Sequence, residues 1–426
     1  MFIIYVCCLF IFILWAYVFF MKKNRLHVIT FIAIGIYIPI LLYQFYWSEL
    51  VDKSFSSMYL YIIIAITVIT VLYTLLSYNK KPRKLAIDDK IELTKFGRSI
   101  GVILNILFVV LYLLENYIGS GTIIPGLVGI DIHNKYSTPI ISYITNANFL
   151  FIAFDFLAYK ATKQKKYLLL LAIIIFIPVV TRSSRFVMVM AIVQLICLYT
   201  IFEKEKRELT RQEKKKSKKR NRIIVVIIVI LVIALNLFTN YRMSHYGKYD
   251  ITYNKMIRWS GPKFLSWLSP VYGYFALSFN NLKINVLHRE IQHNYLGLYS
   301  FASVYFGVLQ VDNLFGINGA EQIKGNLITN GSANVPTGFW DYYYDYGKLF
   351  FIPFIIAIII NNYFLKKSTI EKNKIYYRVL YCWYVTYFAF MSFQNTLFMS
   401  TSIISGAIML FIIKNSFNIK NGDVII

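Results

Sequence analysis

Apolar residues fall in long runs that polar connections interrupt. Eleven such runs read as membrane spans: residues 2–20, 27–46, 58–77, 99–117, 138–158, 167–180, 186–201, 223–238, 349–364, 376–393 and 397–413. A run of about 18 or more apolar residues is long enough to cross a bilayer. The sixth and seventh runs are short and nearly continuous, parted only by Thr181-Arg182-Ser183-Ser184-Arg185. The first has no basic residues before it and no small-residue cleavage site after it. It reads as a retained anchor helix and not as a removed signal peptide.

Basic residues give a check independent of hydropathy. Alternate connections hold Lys22, Lys23 and Arg25; the basic stretch 79–98; Lys160, Lys163, Lys165 and Lys166; the densest run, 203–222; Lys366, Lys367, Lys372, Lys374 and Arg378; and Lys414 with Lys420. Together these carry most of the 45 Lys and Arg. The other connections, apart from one large loop, carry only Lys53, Lys135, Arg182 and Arg185. Cytoplasmic loops hold the excess of Lys and Arg. The N-terminus is therefore expected outside and the C-terminus in the cytoplasm. The domain reading is a bundle of eight spans over 1–238, a large extracytoplasmic loop over 239–348 and three further spans over 349–426.

Composition agrees with this reading. Hydrophobic residues make up 58% of the 426 and charged residues 15%, against about 45–50% and about 25% in soluble domains. A net charge of +25 would suggest nucleic acid in a soluble protein. Here it resolves into cytoplasmic connectors, the run at 214–220 among them, that can lie on anionic headgroups. No nucleic-acid partner is expected. Cys7, Cys8, Cys197 and Cys382 all fall in apolar runs and read as packing residues. No Walker-type loop, no H-E-x-x-H spacing and no histidine ligand set occurs, so neither cofactor nor metal is expected.

The large loop is neither low-complexity nor simply polar. It holds two aromatic-rich patches, 264–279 and 295–311, that read as interfacial or re-entrant helices. Long loops without simple bias are usually functional, so the work is expected on the outer face. Arg182 and Arg185 lie at the membrane edge, either snorkelling to headgroup phosphates or holding a phosphate bidentately. Arg242 and His245 follow the eighth span at a spacing that shares one helix face. Arg258 and the cluster His288, Arg289, Glu290 and His293 add cationic and titratable groups. At the end of the loop stands Asn334-Val-Pro-Thr-Gly-Phe-Trp-Asp341-Tyr-Tyr-Tyr-Asp345-Tyr-Gly347. Asp341 and Asp345 would share a face of a helix starting there. They suit either a helix N-terminus ringed by interfacial tyrosines or a sugar site. The spans themselves are nearly free of charge, Asp155 in the fifth being the exception.

With these residues the chain resembles the bacterial oligosaccharide repeat-unit polymerases of the Wzy type, which build O-antigen, capsule or exopolysaccharide. The resemblance rests on the Asn-Val-x-Thr…Tyr-Tyr-x-Asp-x-Gly pattern from Asn334 to Gly347, on the Thr-x-Ser-x-Arg-like turn from Thr181 to Arg185, and on the layout of spans around one dominant outer loop. A paired Arg-x10-Gly signature of some members is absent. The resemblance implies an all-α polytopic fold of the glycosyltransferase C type in a bacterial cytoplasmic membrane. It implies a glycosyltransferase acting on undecaprenyl-pyrophosphate-linked oligosaccharide, with a polysaccharide chain-length regulator as a candidate partner. Arg182, Arg185 and Arg242 are then expected at the leaving pyrophosphate. His245, His288, Glu290 and Asp341 are candidates for the acceptor base, Arg258 and Arg289 for substrate binding, and Tyr343 and Asp345 for orienting the sugar. Two alternatives stay open: an O-antigen ligase-like transferase, and a flippase for lipid-linked oligosaccharide.

Overall fold

A computed structural model describes residues 2–82, 89–126, 147–182, 185–203, 253–288, 337–371, 374–393 and 400–420, together with short pieces within 141–145 and 291–309 and residues 395 and 398. Hydrocarbon offers no hydrogen-bond partners to a bare backbone, so apolar runs fold as helices that satisfy their own amides. In chain order these are α1 (Phe2–Met21), α2 (Val28–Tyr43), α3 (Ser57–Ser77), α4 (Lys95–Ser120), α5 (Asn148–Thr162), α6 (Lys165–Arg182) and α7 (Arg185–Ile201). The series continues with α8 (Ser269–His288), α9 (Gly338–Tyr346), α10 (Phe351–Ile370), α11 (Ile375–Tyr387) and α12 (Ser400–Ser416). Among the described residues α1, α3, α4 and α10 are long and apolar enough to cross a membrane. The protein is a predominantly helical membrane protein.

Helix starts follow local chemistry. Ser56 Oγ accepts from Tyr59 N at 3.1 Å to open α3, and Thr94 Oγ1 accepts from Gly97 N at 3.1 Å to open α4. Gly121, at φ +73°, closes α4 in the left-handed conformation. Every described span of the sequence reading meets a helix; the eighth, 223–238, and the basic run after Glu203 lie outside the described residues. Within the fifth span a helix runs over Asn148–Thr162, Ile141, Ile144 and Thr145 ahead of it are helical too, and 138–140 lie outside the described residues.

The helical reading holds apart from one short ribbon, in which Lys90–Leu93 (β1) pairs antiparallel with Phe417–Lys420 (β2), Lys90 facing Lys420 and Leu93 facing Phe417. Alternation puts Ile91, Leu93, Phe417 and Ile419 inward, which lays the ribbon on the bundle and covers one face. The patch at 264–279 is a 3₁₀ turn, Lys263–Leu268, leading into α8, which runs on to His288. Helix α8 packs on α2 and α3 and buries Asn280, Asn281, Lys283 and Asn285. Its polar face earned no apolar periodicity, so the sequence pattern stopped short of it. The 295–311 patch is described only in part.

Helix α11 is the centre of the bundle. Nearly all its residues are buried, and it packs on α7, α10 and α12. At the other extreme, α1 turns Phe2, Leu9, Phe10, Ile13 and Phe20 outward, the surface of a helix that faces lipid. Connections expected on one side of the membrane contact one another. Asn24 Nδ2 donates to the carbonyls of Tyr78 and Lys80, and Thr369 Oγ1 to that of Lys81. On the other side Ser48 bridges Trp259, Tyr61 OH donates to the Lys348 carbonyl at 3.0 Å, and Gly126 N donates to the Thr181 carbonyl at 2.6 Å.

Small residues let helices approach where lipid gives no hydrophobic drive. A Cβ on Gly35, in a π-helical stretch of α2, would collide with the backbone of Ala389. Backbone cannot step aside as a side chain does. Gly35→Ala is therefore expected to cost about 3 kcal/mol, the top of the overpacking range. Gly121→Asn, at a left-handed position with no atom within 4 Å of the added Cβ, is expected to cost under about 1 kcal/mol. Apparent Tm in detergent measures both, and equal shifts would contradict the close packing.

Candidate functional site

Three segments far apart in sequence meet at α9. Thr337 precedes the helix, and Gly338 N donates to the Met391 carbonyl at 2.8 Å, which docks its start on the connection after α11. Asp345, fully buried, takes the amide of Tyr299 on both carboxylate oxygens at 3.0 Å and that of Ser300 at 2.5 Å. Such a carboxylate binds a loop end as an N-cap binds a helix. Asn395 completes the junction: its Oδ1 accepts from Tyr342 OH at 3.0 Å, and its Nδ2 donates to the Ser300 carbonyl at 2.9 Å.

The remaining motif residues each have a steric or ring partner. Tyr344 lies against Tyr299, and its carbonyl is 3.0 Å from His293 Nδ1. Tyr343, buried, stands edge-on to the His293 ring at 5.6 Å. Gly347 adopts φ +52°, and a Cβ there would meet His293 Nε2 at 2.6 Å. Gly297, at φ +74°, would meet Tyr346 OH at 2.5 Å in the same way. The closing glycine of the motif is thus required twice, by backbone and by neighbour.

Asp341 differs from Asp345. It is partly buried, one helical turn before Asp345, and hydrogen-bonded to Asn395. Burial and the neighbouring Asp345 charge push its carboxyl up to about 7, against the lowering hydrogen bond from Asn395. A carboxyl so placed holds and releases a proton near neutral pH. Asp345 is committed to backbone amides, whereas Asp341 keeps an exchangeable proton.

Arg182, expected as a phosphate ligand, is already engaged. Its guanidinium pairs with Glu115, its Nε donates to Asn116 Oδ1, and it lies 4.2 Å over the Tyr112 ring. Thr145 Oγ1 also donates to Glu115, at 2.7 Å. Glu115 falls inside the fourth span, so Asp155 is not the sole acid within the spans. The arginine's partner set makes it a clamp between the ends of α4 and α6.

His288 is exposed, with Nε2 3.9 Å from Asp52 Oδ2. Burial raises the Asp52 carboxyl, but hydrogen bonds from Ser54 and the charges of Lys283 and His288 outweigh it and hold the group below the ordinary range. Lys283 Nζ donates to the Asp52 carbonyl at 2.7 Å, which ties α8 to the connection after α2. Arg258 is exposed at φ +48°, its carbonyl accepting from Glu49 N at 3.0 Å. Arg242, His245, Arg289, Glu290 and the Arg185 side chain lie outside the described residues. Of the candidates, then, Asp341, Tyr343 and Asp345 come together on α9, while Arg182 and His288 have partners of their own.

Sequence reasoning missed Asn395 and Glu115. An acid inside an apolar run is a visible signal for Glu115. Asn395 had none, because its partners Tyr342 and Ser300 are tens of residues away. No family model matches the chain, and no curated protein or solved structure matches it.

The clamp makes a measurable claim. Arg182→Ala leaves Glu115 buried without its cation, a loss of about 3 kcal/mol. Adding Glu115→Gln to that variant is expected to restore most of the thermal stability in detergent. A double variant as unstable as Arg182→Ala would refute the pairing as the arginine's main role.

Proposed function

We propose that the protein polymerises undecaprenyl-pyrophosphate-linked oligosaccharide repeat units on the outer face of a bacterial cytoplasmic membrane, with Asp341 as the base. The observation that supports the reading is the Asp341 carboxyl. It stands in the motif that carries the resemblance, its proton affinity is raised to about 7, and its neighbour Asp345 is occupied in holding the loop. A general base works best when its pKa lies near the operating pH.

In this reading Asp341 takes the hydroxyl proton of the acceptor sugar as that oxygen attacks the anomeric carbon of the donor glycan. The new carbon–oxygen bond forms as the bond to pyrophosphate breaks, and the configuration at that carbon inverts. Negative charge develops on the departing pyrophosphate, where fixed cations stabilise the transition state. Arg185 and Arg242 are proposed for that task, with Arg258 and Arg289 on the glycan. Arg182 acts one step back, tying the ends of α4 and α6 through Glu115 and Asn116. Tyr343, edge-on to His293, is proposed to orient the sugar from the neighbouring face of α9.

Asp341→Asn is expected to slow polymerisation about 10²–10⁴-fold with protein level intact, so that cells accumulate single capped repeat units. In membrane vesicles the wild-type rate falls about tenfold per pH unit below pH 7, because protonation removes the base. The rate holds on the alkaline side, where the carboxylate persists. Wild-type rates in Asp341→Asn would exclude it as the base.

A further inference from the structure

Asp155 is fully buried in α5, on the α4 side of the bundle. Asn105 of α4, 1% exposed, donates from Nδ2 to Asp155 Oδ1 at 3.0 Å and to the Gly101 carbonyl at 2.8 Å. The two remaining oxygens, Asp155 Oδ2 and Asn105 Oδ1, are both buried and both without a hydrogen-bond partner. They are the two open corners of one motif: a carboxyl and a primary amide, already joined at one edge. A proton on Asp155 Oδ2 would supply the donor that both of these acceptors lack.

We propose that Asp155 and Asn105 form a proton-binding site within the helical bundle, the bound proton closing a cyclic acid–amide pair between α5 and α4. Asp155 Oδ2–H donates to Asn105 Oδ1 while Asn105 Nδ2 donates to Asp155 Oδ1. One proton satisfies both orphaned acceptors and removes a charge from a place where charge is costly. A metal ion fits less well. Hard cations take about six oxygens, and this pair offers two. Among the described elements packed on α5, the Tyr167 phenol of α6 lies within electrostatic reach of Asp155, and Arg98 of α4 within reach of Tyr167. Among the described residues no cation forms an ion pair with Asp155.

The site is set by close packing. Gly101, one turn before Asn105, admits the Phe154 ring, which a Cβ would meet at 2.5 Å. Phe154 in turn packs on Phe417 of the ribbon at 5.2 Å between centroids. Both members of the pair are held at 1% exposure or less.

The test is infrared difference spectroscopy of the full-length protein in lipid at neutral pH, wild type minus Asp155→Asn. That variant replaces the acid–amide pair with an amide–amide pair of the same shape. The expected result is loss of a protonated-acid carbonyl band in the variant, with apparent Tm changed little. Loss of a carboxylate band instead would overturn the proposal. Should Asp155→Asn fail to fold, wild-type protein carrying isotope-labelled aspartate and compared with Asn105→Leu gives the same decision. The acid carbonyl band then shifts when Asn105 is lost if the ring exists, and stays where it is if it does not.

Discussion

A polar group inside this bundle must find its partner within the chain, because the surrounding hydrocarbon supplies none. That constraint shapes every level of the structure. It turns the apolar runs into helices. It sends Thr67 and Thr181 back to the carbonyls one turn earlier, at 2.7 Å in each case. It also explains why the charged side chains that do enter the bundle come with company: Glu115 with Arg182, Asp345 with two backbone amides.

The same constraint separates two aspartates that look alike in sequence. Asp341 and Asp345 lie one turn apart on α9 among tyrosines. Asp345 meets the amides of the Tyr299–Ser300 turn and becomes a fastener. Asp341 meets a side-chain amide and a like charge, and its proton becomes labile near pH 7. The two carboxyls differ through their surroundings and not through their identity. Asn395 sits at the point of difference, bonded to Tyr342, to the Ser300 carbonyl and to Asp341.

Arg182 carries a related lesson. A cation at the edge of an apolar run invites a phosphate, and the sequence offers no nearby acid in its own connection. The acid comes from α4, 67 residues earlier. Once paired, the guanidinium serves helix packing, and the cationic work proposed for the site passes to other arginines of the large loop and of the turn after α6. His288 shows the same shift from candidate base to partner of Asp52.

By itself the sequence determined the helical, membrane-embedded character of the chain and most helix positions, and it singled out the 334–347 motif. Those follow from local composition, since a run of apolar residues has few ways to satisfy its backbone. It also marked Asp341, Asp345 and Gly347 without ranking them. Tertiary structure alone decided that Asp345 braces a loop, that Gly347 makes room for His293, that α8 continues to His288 and that β1 and β2 pair across most of the chain. Each of these is a contact between segments tens to hundreds of residues apart, and no local pattern of polar and apolar positions specifies which distant partner a buried polar group will meet.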